Sequence, residues 1–221
     1  MVRPVLRWRM LGFLARRKHL WLLLVYPVVA FGFFYLKSFN TSPTYVVEWP
    51  LVDTAIPFVP GMVFPYFFWY IAVAFPFFWL GIRNGPEFTR YCWFVYGAMS
   101  STYLLYLLFP NGQNLRPALD ALSGWDIDAI RWLYSHDAPR NVNPSLHVID
   151  TVAVWFALRR DSFLGSRPWF HALLAAVCLS IIASTVFIKQ HSILDIFGGV
   201  AWAGVWYVLI YSRWSVFFRT R

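Results

Sequence analysis

Across 221 residues the chain is 59% hydrophobic and 21% aromatic but only 13% charged, and its mean hydropathy is +0.53. An ordinary water-soluble domain is excluded, because thirteen Trp, twelve Tyr and twenty-two Phe exceed what one small core buries, whereas a bilayer solvates them. The net charge of +9 comes from basic residues gathered at the ends of apolar runs, so it reads as a topology signal, and nucleic acid is not an expected partner.

A helix crosses the hydrocarbon with about 20 apolar residues, and on that measure six spans are predicted: 19–36, 62–82, 91–109, 147–158, 168–188 and 192–212. The first follows Arg16-Arg17-Lys18, and no small-x-small cleavage site comes after it, so it is expected to stay as an anchor. The stretch 41–60, broken by Pro43, Pro50, Pro57 and Pro60, reads as a loop dipping into the interface. Between the third and fourth spans, 117–133 has the apolar spacing of one or two short interfacial helices. The fourth span is short before Arg159-Arg160, which fits a helix that starts inside the bundle or one whose arginines snorkel. Cys92 and Cys178 stand alone in apolar runs, with neither disulfide nor zinc spacing. With no internal repeat and no long linker, the expectation is one all-α membrane domain, a six-helix bundle over residues 1–221.

Alternate sides of these spans differ sharply in charge. One carries Arg3, Arg7, Arg9, Arg16, Arg17, Lys18, Arg83, Arg90, Arg159, Arg160, Arg167, Arg213, Arg219 and Arg221; the other carries Lys37, Arg116, Arg131, Arg140 and Lys189. Cytoplasmic loops are enriched in Lys and Arg, so both termini are expected in the cytoplasm, with the loops 37–61, 110–146 and 189–191 on the opposite face.

Polar residues at span ends are costly and point to function. Three groups fall on that outer face: Arg116-Pro117; Asn143-Pro144-Ser145-Leu146-His147; and Ser184-Thr185 followed by Lys189-Gln190-His191 and Asp195. His191 and Asp195 are four apart, so on a helix the carboxylate fixes the imidazole tautomer and leaves the other ring nitrogen as a nucleophile or base. Ser145 is placed to cap a helix whose first amides, around Leu146 and His147, form an anion site. A phosphate suits that site, with Arg116 gripping two oxygens, Lys189 adding a point charge and His147 protonating a leaving oxygen. Asp150, one turn beyond His147, is open to three roles: bracing His147, pairing with Arg116 or lining a wet pocket. Singly, either histidine reads more simply as packing; the conjunction favours catalysis. A divalent-metal group of His147, Asp150, His191 and Asp195 is the lesser alternative.

These residues resemble the type 2 phosphatidic acid phosphatase (lipid phosphate phosphatase) superfamily, whose signature is K-x6-R-P, P-S-G-H and S-R-x5-H-x3-D. Arg116-Pro117 is similar to the first part, Pro144-Ser145-Leu146-His147 to the second, and Ser184, His191 and Asp195 to the third, within residues of about 90–212. The resemblance implies His191 as nucleophile, Asp195 as its orienting partner, His147 as acid then base, and Arg116 and Ser145 as phosphate ligands; Asp150, Ser184 and Thr185 are candidates for a supporting layer around them. It implies no metal or cofactor and a lipid substrate in the bilayer. Phe109, Leu146 and Thr185 stand where the signature has Lys, Gly and Arg, and Lys189 is the residue expected to restore a charge. Such a divergent pattern is similar to phosphotransferases that move lipid head groups, such as inositolphosphorylceramide and sphingomyelin synthases. The expected function is therefore hydrolysis of a lipid phosphate ester or diphosphate at the extracytoplasmic face, with head-group transfer as the alternative. A non-catalytic phospholipid binder or transporter is a further alternative, which would have no need of the His191–Asp195 pair. Gly198, Gly199, Ala201 and Ala203 permit close helix contact but leave the oligomeric state open.

Overall fold

A computed structural model of the chain describes residues 17–39 and 45–213. Arg3, Arg7, Arg9, Arg16, Arg219 and Arg221, used above for orientation, and Pro43 in the proline-broken stretch lie outside the described residues. The helices are α1 (Val25–Phe39), α2 (Pro50–Ala55), α3 (Val63–Arg83), α4 (Gly85–Leu108), α5 (Trp125–His136), α6 (Leu146–Arg159), α7 (Pro168–Phe187) and α8 (Ile193–Tyr207). Short 3-10 stretches at Lys18–Leu24 and Pro60–Met62 lead into α1 and α3, and a π-helical turn at Val208–Arg213 follows α8.

Three described helical stretches are long and apolar enough to cross a membrane, Pro60–Arg83, Pro168–Phe187 and Ile193–Ser212. They fall on the predicted spans 62–82, 168–188 and 192–212, and mark an integral membrane protein. Among the described residues the count of six is not reached, and each shortfall has its own cause. The first span is divided between a 3-10 stretch and α1, so its apolar helix, Lys18–Phe33, is short. The third starts earlier than expected, at Gly85, because Pro86 occupies the first turn and Asn84 accepts a hydrogen bond from the Glu87 amide at 3.2 Å. Its 24 residues rise about 36 Å, but Glu87, Thr89, Arg90, Ser100, Ser101 and Thr102 dilute its apolar character. The fourth, α6, has only 14 residues.

Why α6 can be so short follows from its place. It packs against α3, α4, α7 and α8, so the bundle rather than lipid surrounds it. Ile149, Ala153, Val154, Ala157 and Leu158 join Phe88, Phe94, Leu80 and Ile181 in the principal core. At its far end the arginines rest on aromatic faces: Arg160 lies 4.5 Å from the Tyr211 ring centroid, and Arg83 lies 4.8 Å from the centroids of Trp79 and Phe163.

The opposite end carries a layer that periodicity does not reveal. Instead of a plain loop, the proline-broken stretch holds β1 (Tyr45–Val46) and α2, and β1 pairs in parallel with β2 (Asn111–Gly112), so among the described residues the architecture is helical with one two-residue strand pair. The outer loop forms a single helix, α5, with Ile127, Ile130 and Leu133 buried and Trp125 and Trp132 exposed. Its buried side meets Val63, Tyr66 and Ile188, a second small core that docks α5 over the end of α3.

Candidate active site

The site is built on two helix starts brought side by side. A Cβ on Gly199 would meet the Val148 Cβ at 2.7 Å and the Ser145 carbonyl oxygen at 3.0 Å, so glycine there allows α8 to approach the mouth of α6. The contact Gly198 and Gly199 were expected to permit is therefore used within the chain. Across it the Ser145 amide donates to the Asp195 carbonyl at 3.3 Å, while Tyr106 donates its hydroxyl to the Pro144 carbonyl at 2.6 Å. The Asn143-Pro144 peptide is cis.

Ser192 caps α8, and Asp195, three residues on, closes the capping box by accepting from the Ser192 amide at 3.0 Å. The same carboxylate oxygen accepts from His191 Nδ1 at 3.0 Å. That bond puts the ring proton on Nδ1 and leaves Nε2 with its lone pair, 3.4 Å from Ser145 Oγ. Asp195 is fully buried, and its other oxygen has no hydrogen-bond partner among the described residues.

His147, in the first turn of α6, is held differently. Its ring stacks on Tyr66 with centroids 4.3 Å apart, lies 4.3 Å from the Trp69 ring, and stands 5.9 Å from the His191 ring. Its Nε2 is shielded and lacks a hydrogen-bond partner among the described residues. Both imidazoles line one cavity of roughly 530 Å³. Its lining is polar at His136, Asp137, Arg140, Asn141 and Gln190 and largely apolar at Tyr26, Ala30, Phe33, Trp69, Tyr70, Met99 and Tyr106.

The two expected phosphate cations are placed elsewhere. Arg116 donates to the Tyr134 carbonyl at 3.1 Å, to Gln190 Oε1 at 2.5 Å and to the Asp137 carbonyl, with its guanidinium 4.1 Å from the Tyr134 ring centroid. Burial lowers its pKa, against the opposing pull of Tyr134 and Asp137. Lys189 donates to the carbonyls of Asp53 at 2.6 Å and Ile56 at 2.5 Å, closing the end of α2; burial lowers its pKa while Asp53 acts in the other direction. Neither lines the cavity, because in each case carbonyl groups of the outer layer claim the charge.

Other expectations are also corrected. Ser145 sits at the N-cap of α6 but makes no side-chain capping bond and faces His191 instead. Leu146 lines the cavity at the first helical position, where amides lack partners within the helix. Ser184 and Thr185 turn their hydroxyls back to the carbonyls of Ile181 and Ile182, at 2.6 and 2.8 Å, and it is the Thr185 carbonyl that receives the His191 amide at 3.0 Å. Asp150 neither braces His147 nor pairs with Arg116; both its oxygens are buried without a hydrogen-bond partner among the described residues. The metal group of His147, Asp150, His191 and Asp195 does not assemble, and among the described residues no three His, Cys, Asp or Glu side chains converge as such a group.

Asp53 is a residue that spacing does not single out. Its Oδ2 accepts from Ser192 Oγ and the Trp49 amide, each at 2.7 Å, and its Oδ1 accepts from the Ile193 amide at 2.9 Å. A carboxylate at a helix start is favourable electrostatically, and here it comes from more than a hundred residues away. The available signal was an acid inside an otherwise apolar stretch, in Leu51-Val52-Asp53. Compared with known proteins, the chain matches no family model, no curated protein and no solved structure.

Proposed function

We propose that the chain is an integral-membrane phosphohydrolase that cleaves a phosphate ester or diphosphate of a lipid through a phospho-histidine on His191. One observation carries the reading: an imidazole held by a buried carboxylate at 3.0 Å faces a second imidazole, with ring centroids 5.9 Å apart, in one cavity. Packing alone needs neither the buried pair nor the shared opening. In the first step the His191 Nε2 lone pair forms a bond to phosphorus as the P–O ester bond breaks, and His147 gives its proton to the departing oxygen. Asp195 stabilises the positive charge that develops on His191. In the second step water attacks phosphorus, passes a proton to His147, and the P–N bond breaks. First-turn amides of α6 are placed to stabilise the equatorial oxygens.

The aromatic residues lining the cavity support a hydrocarbon-bearing substrate. In the proposed topology α1, α4 and α6 cross with the three long apolar helices, both termini are cytoplasmic, and the cavity opens to the other face. No metal or cofactor takes part in these steps. This reading extends the resemblance to the type 2 phosphatidic acid phosphatases, and transfer to a lipid hydroxyl would share its first step.

The test is purified protein in nanodiscs offered a panel of phospholipids and polyprenyl diphosphates, with inorganic phosphate and new lipids measured together. Phosphate release that His191→Ala reduces by about 10³-fold or more supports the proposal. A new phospholipid without free phosphate points to transfer. Turnover unchanged in His191→Ala rejects the mechanism.

A further inference from the structure

We infer that Arg140 is the guanidinium that holds the phosphoryl oxygens beside the two histidines, in place of Arg116 and Lys189. This rests on the phosphoryl-transfer reading above and specifies how that site takes its anion. Among the described residues lining the cavity, Arg140 is the only lysine or arginine, and it shares that lining with His147 and His191. A phosphate ester brings negative charge into an opening bounded by aromatic rings, where an unpaired anion is costly and a planar fork of donors fits two oxygens at once.

The backbone around Arg140 is unusually well tied for a loop. Arg140 forms an antiparallel bridge with Gly112, the Gln113 amide donates to the Pro139 carbonyl at 3.1 Å, and the Asn141 amide donates to the Asn111 carbonyl at 2.7 Å. Asn111 Oδ1 then accepts from the amides of Val142 at 2.9 Å and Asn143 at 2.8 Å. Gln113 Nε2 donates onward to the carbonyls of Lys189 at 2.9 Å and Gln190 at 3.2 Å, so the strap holding Arg140 is bonded to the turn that carries His191. Asn141 has φ of 57°, a left-handed conformation that asparagine tolerates better than most residues. Across this turn Arg140, Asn141 and Val142 all line the cavity. The segment thus fixes the Arg140 backbone on the cavity that the histidines also line, and a cation anchored in advance is what transition-state binding requires.

The test uses the full chain in detergent or nanodiscs and orthovanadate, which adopts the five-coordinate geometry of phosphoryl transfer, with inorganic phosphate as competitor. Binding is measured by calorimetry or vanadium NMR. Arg140→Gln is expected to weaken vanadate binding by about tenfold to a hundredfold, and Arg140→Lys by less, since it keeps the charge and loses the fork. Arg116→Gln, or Arg116→Lys should the first fail to fold, is expected to stay within about threefold of the parent. Equal affinity in the parent and Arg140→Gln overturns the inference while leaving the phosphohydrolase reading intact, as does a loss confined to the Arg116 variants. Should Arg140→Gln fail to fold, Arg140→Lys decides: weaker binding supports the inference and unchanged binding overturns it. A parent protein that binds neither anion and releases no phosphate overturns both.

Discussion

His191 and His147 line the same cavity, yet the first is held through its Nδ1 by a buried carboxylate at 3.0 Å and the second by the faces of Tyr66 and Trp69, each ring 4.3 Å away. A hydrogen bond to a carboxylate fixes both orientation and tautomer, which suits the proposed nucleophile, a group that would present one lone pair to phosphorus. Ring stacking fixes orientation without choosing which ring nitrogen carries the proton, which suits the proposed role of giving up a proton and taking it back. On the proposed function, the contrast separates two uses of one side chain by the chemistry of what surrounds it.

The comparison can be broken most sharply at the carboxylate. Asp195→Asn keeps the shape of the side chain but reverses the tautomer it prefers, and it is expected to lower phosphate release on the order of 10³-fold or more. A loss of less than about tenfold would show that His191 does not depend on the pair. At the other ring, Trp69→Leu removes one stacking face; the expected result is a loss of about tenfold in kcat with little change in KM, as befits a displaced proton donor. Equal losses from both variants would erase the distinction drawn here.

Smaller effects test the frame that brings the rings together. Gly199→Ala puts a methyl group against Val148 and the Ser145 carbonyl, and thermal unfolding is expected to report a cost of about 1–3 kcal/mol together with reduced turnover. If stability and turnover both hold, the close approach of α8 to α6 is not what sets the site. Asp150→Asn sits at the end of the scale. Asp150 lies one turn from His147 on α6, yet its carboxylate has no hydrogen-bond partner among the described residues, so the amide is expected to leave phosphate release within about twofold and raise Tm by a few degrees. A large loss of activity would return Asp150 to the chemistry.

Much of the frame was readable from local pattern. Three apolar runs became helices long enough to cross a membrane, because length and hydropathy are properties of neighbouring residues. The four-residue offset pointed to the His191–Asp195 bond, but His191 precedes the N-cap Ser192, and the Asp195 carboxylate reaches it by folding back in the capping box rather than along one helix face. α4 was expected as a span but carries polar residues that the bundle partly satisfies: Glu87 accepts from the Tyr211 hydroxyl at 2.7 Å and pairs with Arg90 at 3.0 Å. Asp53 was silent because its partners, Ser192 and Ile193, lie far along the chain.

The cations show where linear reading stops. Arg116 and Lys189 have the charge that a phosphate site wants, but charge does not reveal which carbonyl groups will claim it. Helical spacing and hydropathy set which side chains are neighbours along one helix. Long-range pairing of the 111–113 strap with residues 139–143 and with the 189–190 turn set which arginine lines the cavity with the histidines, because hydrogen-bond partners that distant meet only once the chain has folded.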